Sequence, residues 1–575
     1  MEWHIVLHRN QFKIMQNIII IGGLSAGPSA AAKARREDET ANITLFEKTD
    51  AISYATCGIP YALSGHIPSR EKLLVTDVNV LRNRFKVDVR LNEEVLDIDT
   101  EKQEVETPLG RYRYDKLIFA TGARSFVPPI ENLHSAQNWS TCRSLADFDQ
   151  IKARALKPEV KHVTIMGGGL IGIEVAENLI HAGKKVTLIE GGPHILPMWQ
   201  PKFSSMAENV LEDKGIELIK NTFVKRVEIS GENLAKIDLG HDRFLETDYL
   251  IMSVGIKPNT EILLNKGAKA LPNGALIVDE KFETSLPNIY AAGDNAAILN
   301  LMTNQADYMP LGTHSNKGGR AAGVNAVGGN EKLYGGYKTA IIQLFNFTMA
   351  RTGCSPKDLS RRGVNFKRNL IVAHATPSYY PNPTDLIIET YYDAADLTLL
   401  GAEIFGQVGV DKRVDVLSTA IYAKLKITDL PQLDLAYAPP YSPAKDPIVV
   451  SGHMASNLLN GGYEDISVEE LHELISENSN IQIIDVRTHA ERTTDGHIKG
   501  SIHIPLDDLR EKLDLVSKNR PVVVHCIKGL RGYLAYKILK NNGFEHVKNL
   551  AGGYLVWSQY ERQNPVSYST AYELV

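Results

Sequence analysis

Residues 17–27 read NIIIIGGLSAG, and residues 163–177 read VTIMGGGLIGIEVAE. Each is a short apolar strand, a glycine-rich turn and the start of a helix. A turn of this kind lets backbone N–H groups approach a pyrophosphate, and the helix N-terminus adds partial positive charge. One such pattern is weak evidence. Two are strong when each is followed by a second strand ending in an acid. Those acids are Glu47, closing ITLFE at 43–47, and Glu190, closing VTLIE at 186–190. They stand 20 and 18 residues beyond Gly27 and Gly172, near the spacing at which a carboxylate meets ribose hydroxyls. The chain is therefore expected to be α/β, with two Rossmann-like dinucleotide-binding domains.

The second turn keeps all three glycines, Gly167, Gly169 and Gly172. The first keeps Gly22 and Gly27 but has Leu24 in the middle. Two later segments complete an FAD site around it. LIFATG at 117–122 is an apolar strand ending at Thr121 and Gly122, and PNIYAAGD at 287–294 puts Gly293 and Asp294 at a strand end, where the carboxylate can accept from a ribityl chain. Glu190 repels a 2′-phosphate, and the GGPH that follows offers no arginine, so NADH is favoured over NADPH.

This layout resembles the two-dinucleotide-binding flavoprotein family that includes glutathione reductase, over roughly residues 15–450. The resemblance implies FAD contacts at Gly22, Gly23, Ser25, Ala26, Gly27, Glu47, Lys48, Thr121, Gly122, Gly293, Asp294 and Lys445, and NAD contacts at Gly167, Gly169, Gly172 and Glu190.

SYATCGIPY at 53–61 carries Cys57, and Ala62 stands where disulfide-reducing members of the family have a second cysteine. The segment resembles the single-cysteine branch: coenzyme A disulfide reductases, NADH oxidases and NADH peroxidases. Thr56 replaces the usual Asn. Ser29, Lys33 and Arg36 on the first helix, with Ser53, match positions that contact coenzyme A in the branch. Lys33 and Arg36 share a helix face, which suits the phosphates of CoA; a solvated basic face is the alternative. SYYP at 378–381, GQVGVDKR at 406–413 and LAYAPPY at 435–441 also resemble the branch. They imply a homodimer in which Tyr379 and Tyr437 reach the partner's cysteine, Tyr380 and Tyr441 remaining as neighbours.

Beyond a stretch rich in Pro, Ser and Gly, a further α/β unit starts. IQIIDVR at 481–487, GHIKGSIHIP at 496–505, VVVHCIKGLRG at 522–532 and LAGG at 550–553 resemble the single-domain rhodaneses. Cys526 lies between a strand and a helix N-terminus, where N–H groups from Ile527 to Gly532 and the charge of Arg531 stabilise a thiolate or persulfide. It is the expected carrier of sulfane sulfur. Cys142 and Cys354 lie in no motif and are expected to be buried.

The expected organisation is an FAD domain in two parts (15–126 and 257–334) around an NAD domain (127–256). A dimerisation domain (335–445), a linker (446–462) and a rhodanese domain (463–575) follow. With 575 residues, three to four domains are the prior. The net charge of -5 argues against a general nucleic-acid binder, and four cysteines are too few for a disulfide scaffold. No run approaches the ~18 apolar residues of a membrane span, and residues 1–14 read as an upstream start or a tail rather than a signal peptide. A cytoplasmic location is expected, and no metal site is assigned.

Together these features point to NADH-dependent reduction of CoA disulfide, CoA persulfide or polysulfide at Cys57. The alternatives are an oxidase or peroxidase that cycles Cys57 through a sulfenic acid, and a sulfur-relay protein.

Overall fold

Ile18 and Ile20 are fully buried in the strand Asn17–Ile21, which is the centre of a five-stranded parallel sheet. The order across that sheet is Ile289–Ala291, Lys116–Phe119, Asn17–Ile21, Asn42–Glu47 and Asp88–Leu91. All neighbours run parallel, so covering helices bury both faces and the strands read as continuous apolar runs. One covering helix, Ala26–Glu37, crosses Gly312–Ala326 closely. A Cβ on Gly319 or Gly323 would stand 2.2 Å from the Ala26 carbonyl oxygen or 2.4 Å from that of Ala30. Glycine is therefore required at both positions.

The computed structural model describes residues 15–566. The expectations for residues 1–14 and for the end of the last domain fall outside them. The described chain divides into two compact units. The first holds residues up to Pro128, Ser140–Leu156 and Val254–Gly336; the second holds Pro129–Trp139, Lys157–Ser253 and the chain from Tyr337 onward. The FAD-type sheet belongs to the first.

Three larger sheets organise the second unit, beside a small antiparallel one of Val227–Ser230, Asn233–Gly240 and Arg243–Glu246. In the NAD-type sheet, Glu217–Ile219, Lys185–Ile189, His162–Met166 and Tyr249–Met252 lie side by side and parallel. An antiparallel sheet runs Ala340–Leu344, Phe347–Gly353, Leu399–Gly406, Asp385–Asp393, Phe366–His374. The last sheet is parallel, in the order Asp465–Ile466, Val547–Leu550, Val522–His525, Gln482–Asp485, Ile502–His503.

The stretch expected to be a linker contains a helix, Pro447–Leu459. Asp446 caps it by accepting from the Ile448 N–H at 2.9 Å, and Pro447 occupies the first turn, where a missing N–H costs nothing. Its buried Ser451 accepts from Asn369 Nδ2 through both its carbonyl and its hydroxyl, at 2.6 and 3.0 Å. Proline and serine here start a helix and pack it, which composition alone reads as flexibility.

The last parallel sheet's domain is fastened by buried charge. Lys202, in the helix Pro201–Asp213, meets Glu389 at 3.0 Å and Glu469 at 3.1 Å. Burial opposes its charge, but the two carboxylates hold its ammonium well above the usual range. Along the same helix, Asn209 donates to Gln559 at 2.7 Å and Glu212 accepts from Gln563 at 2.6 Å.

Candidate active sites

The two dinucleotide turns are built alike. Gly22 and Gly167 both have φ +106, and a Cβ on Gly27 or Gly172 would fall within 2.0 Å of the carbonyl oxygen of Gly22 or Gly167. Gly169, the middle glycine of the second turn, has φ -82 and nothing within 4 Å of an added Cβ. Backbone sterics do not require glycine there, which explains how Leu24 occupies the same place in the first turn.

Each turn is tied to its acid. The Gly23 N–H donates to Glu47 Oε2 at 2.7 Å, and the Gly168 N–H donates to Glu190 Oε2 at 2.8 Å. The second oxygen of Glu47 accepts from the Thr49 N–H at 2.9 Å, and that of Glu190 from the Gly192 N–H at 2.7 Å. Both carboxylates are thus oriented, with lone pairs left for ribose hydroxyls. The helices that follow, Ala26–Glu37 and Leu170–His181, have no side-chain cap and no acid in their first turns. Their leading N–H groups therefore suit a pyrophosphate, in contrast with Leu145–Arg154, where Ser144 and Asp147 form a capping box. In the first unit, Asn295 Oδ1 is buried without a hydrogen-bond partner, 3.7 Å from where a Cβ on Gly293 would stand. The residues present fit a dinucleotide on each turn.

Asp294 has a partner that sequence reasoning missed. Arg143 Nη2 donates to its Oδ2 at 2.7 Å, Ser315 Oγ donates to its Oδ1 at 3.2 Å, and Arg143 Nε binds the Ala123 carbonyl at 2.7 Å. Arg143 lies in no motif, so spacing gave no signal for it. Thr121 Oγ1 donates to the Asn259 carbonyl at 2.6 Å. Lys48 is exposed, and Lys445 is exposed in the second unit.

Cys57 is exposed, in the turn Thr56–Gly58 that leads into the short helix Ile59–Leu63. The segment hangs from the first dinucleotide turn: the Ser53 N–H donates to the Gly23 carbonyl at 2.8 Å, and the Val75 N–H to the Ser53 carbonyl at 2.7 Å. Ser53 takes a left-handed φ of +48 at this junction. Next to Ser53, Tyr54 is half-buried, and that burial raises its phenol above the usual range, with the negative charge of Glu47 adding to this.

On the first helix, Ser29 Oγ donates to Asn316 Oδ1 at 2.9 Å, and Lys33 is ion-paired with Glu37 one turn on. Arg36 is exposed. Arg35 is buried and satisfies the carbonyls of Phe85, Asp38, Glu39 and Lys86. The basic face of this helix therefore carries a carboxylate beside its lysine.

In the second unit, the hydroxyls of Tyr379 and Tyr437 are 3.3 Å apart, and both side chains are exposed. Tyr380 is half-buried and Tyr441 exposed. Buried Arg413 ties their segments together: it pairs with Asp446 at 2.9 Å and donates to the carbonyls of Ala375 and Tyr441 at 3.3 and 3.5 Å. Cys142 and Cys354 are buried, and burial raises the Cys354 thiol.

Cys526 is 2% exposed at the end of the strand Val522–His525. The Gly529 N–H donates to its Sγ at 3.1 Å, and Gly529 reaches this position with φ +124. The helix Leu530–Asn541 begins there without a side-chain cap. Asn549 Nδ2 holds the Gly529 carbonyl at 3.1 Å, and the Tyr554 N–H holds the Cys526 carbonyl at 2.8 Å. Beneath the loop, buried Asp485 pairs with Arg487 at 2.8 Å and Arg492 at 3.1 Å. Burial works against that carboxylate, but Arg487 and the facing His525 keep it at about 2. Burial pushes His525 down to about 4, so it is neutral at physiological pH. Arg531 makes a bidentate pair with Glu491 at 2.5 and 2.8 Å.

Residues 16–312 match the model of the pyridine nucleotide-disulphide oxidoreductase family, and residues 467–560 match the rhodanese-like domain. Among similar solved structures, reduced CoADR-RHD of Bacillus anthracis has a TM-score of 0.90 at 34% identity, over 96% of this chain and 99% of that one. A NAD-dependent persulfide reductase of A. fulgidus has a TM-score of 0.88 at 34% identity, over 94% and 100%. The NAD(P)H coenzyme A polysulfide/persulfide reductase of Pyrococcus horikoshii is 32% identical over 441 residues, covering 76% of this chain and 97% of that protein. Among the described residues, no helix is long and apolar enough to cross a membrane. The chain belongs to the pyridine nucleotide-disulphide oxidoreductase family, whose members bind FAD and a nicotinamide nucleotide, and it carries a rhodanese-like domain at its C-terminal end.

Proposed function

We propose that the protein is an NADH-dependent reductase of CoA disulfide, CoA persulfide or polysulfide that works at Cys57, with Cys526 carrying sulfane sulfur. The observation that carries this reading is the placement of Cys57. It is exposed on a segment hydrogen-bonded to the first dinucleotide turn, and Ala62 stands where a resolving cysteine would be. Its second sulfur must then come from substrate. The names of the similar B. anthracis, A. fulgidus and P. horikoshii proteins support CoA and persulfide as that source.

The Cys57 thiolate attacks a CoA disulfide, breaks its S–S bond and expels one CoA thiolate, leaving a mixed disulfide. With CoA persulfide, attack on the inner sulfur expels hydrosulfide and leaves the same mixed disulfide. Bound FAD supplies the two-electron link between NADH and that sulfur. Glu190, pinned by Gly168 and Gly192, orients the NADH ribose and repels a 2′-phosphate. In a homodimer, Tyr379 and Tyr437 of one subunit approach the other's Cys57 and hydrogen-bond to the departing thiolate. The setting is a reducing cytoplasm.

Cys57→Ser should abolish NADH oxidation with CoA disulfide, by about 10³-fold or more. Cys526→Ser should leave that activity intact while removing sulfur transfer from persulfide donors to cyanide. Loss of both activities in Cys526→Ser would end this division of labour.

A further inference from the structure

Beyond the acid of the second dinucleotide turn stands an apolar side chain that the proposed function leaves unused. Phe223 is 76% exposed, whereas its chain neighbours Thr222 and Val224 are buried. The main chain under the ring is thus fixed while the ring itself is held out. Three hydrogen bonds do the fixing. The Glu190 N–H donates to the Ile219 carbonyl at 2.8 Å, the Thr222 N–H to the Glu190 carbonyl at 3.0 Å, and the Asn221 N–H to the Gly192 carbonyl at 2.9 Å. They continue the pairing of Lys185–Ile189 with Glu217–Ile219 past the carboxyl end of the sheet, the edge at which open parallel sheets take their ligands. They also bring the ring over Gly191. A Cβ on that glycine would stand 2.5 Å from Phe223 Cε1 and 2.9 Å from its Cζ. The ring therefore fills the volume that a side chain following the acid would use. Two nearby basic side chains, Lys220 and His194, turn to buried Glu208 at 2.8 and 3.2 Å.

We propose that Phe223 is the stacking platform for the adenine of NADH, and that Gly191 lacks a side chain so that the ring can lie there. This deepens the proposed function by naming a residue that recognises the base, and it rests on the second turn binding NADH. Adenine is bonded to the ribose carbon next to the one that carries the 2′-hydroxyl. A carboxylate that accepts from the ribose hydroxyls therefore sets the base beside the residues that follow the acid. There the flat ring of Phe223 offers adenine an apolar face, and stacking takes both faces out of water. The contact touches the base and not the nicotinamide, so its loss appears in the binding of nucleotides that carry the base.

The test uses the full-length flavoprotein and titrates it with ADP-ribose in a calorimeter, since this probe keeps the adenine and lacks the nicotinamide. Phe223→Ala should weaken ADP-ribose binding at least about fivefold, while Phe223→Tyr, which keeps the ring, should stay within about threefold of wild type. The second readout is bleaching of the flavin by NADH or by reduced nicotinamide mononucleotide, which lacks the adenine. The ratio of their second-order rate constants, NADH over mononucleotide, should fall at least about fivefold in Phe223→Ala. A smaller loss of ADP-ribose binding in Phe223→Ala, a larger one in Phe223→Tyr, or a smaller fall in the ratio overturns the proposal. Wild type separates this failure from failure of NADH use. If it binds ADP-ribose and its flavin is bleached by NADH while the variant tests fail, only the role of the ring is wrong; if it does neither, the second turn does not serve NADH and both readings fall.

Discussion

The two thiols proposed to react sit in opposite surroundings. Cys57 is exposed at the head of a five-residue helix, held by backbone hydrogen bonds to a dinucleotide turn. Cys526 is 2% exposed, its sulfur accepting from Gly529, at the head of a twelve-residue helix and near the buried Asp485–Arg487 pair, which half-buried Arg492 joins. The difference matches their proposed tasks. A thiol that must meet both a bulky disulfide and a flavin gains from an open approach. A thiol that stores a persulfide gains from a cradle that stabilises the anion and excludes competing nucleophiles.

Alkylation should expose this contrast most strongly. Iodoacetamide should modify Cys57 faster than Cys526 by about 10²-fold, read by peptide mass spectrometry. Equal rates would break the comparison.

The second contrast is in how the sites are anchored. The Cys526 domain is fastened through buried charge within a unit that also buries Glu403, 1% exposed, where it accepts from the Gln200 N–H at 2.9 Å. Burial pushes Glu403 up to about 7, against the pull of Arg351. Its raised value means the folded state holds a proton that the unfolded state has lost. The associated stability is present in full below about pH 4.5, the carboxyl's ordinary value, and is lost as pH rises through about 7. Glu403→Gln should flatten the decline in denaturant stability across that window, a span of about 3 kcal/mol. An unaltered slope would remove Glu403 from the account.

Gly529→Ala should sharpen the comparison from the Cys526 side. It forces a side chain into φ +124 and disturbs the N–H aimed at the sulfur. Strain of roughly 1–3 kcal/mol should slow sulfur transfer about tenfold, with NADH-linked CoA disulfide reduction unchanged. On the Cys57 side, Tyr379→Phe removes the hydroxyl paired with Tyr437. A hydrogen bond worth about 1 kcal/mol predicts roughly fivefold slower turnover with CoA disulfide.

The sequence made the architecture readable because the two turns, their acids and the rhodanese loop are local: strand, glycine turn and acid all lie within about thirty residues, Asn17 to Glu47 and Val163 to Glu190. What it hid is long-range or compositional. The Arg143–Asp294 pair spans 151 residues, and the Lys528–Asp385 pair spans 143. Neither leaves a spacing signature. Lys33 and Arg36 read as a basic face, yet Glu37 was the local clue that one charge was already matched. The helix Pro447–Leu459 was masked by its own cap chemistry, since the Asp-Pro pair that starts it also marks turns.

The central claim is that electrons from NADH reach a substrate sulfur through Cys57. Its most direct test is NADH oxidation by the flavoprotein with CoA persulfide, CoA disulfide and hydrogen peroxide, compared by kcat/KM. A CoA sulfur substrate should exceed peroxide by at least about 10²-fold, with all turnover lost in Cys57→Ser. Peroxide turnover equal to or above that of both CoA substrates would contradict the account and point to sulfenic acid chemistry at the same residue.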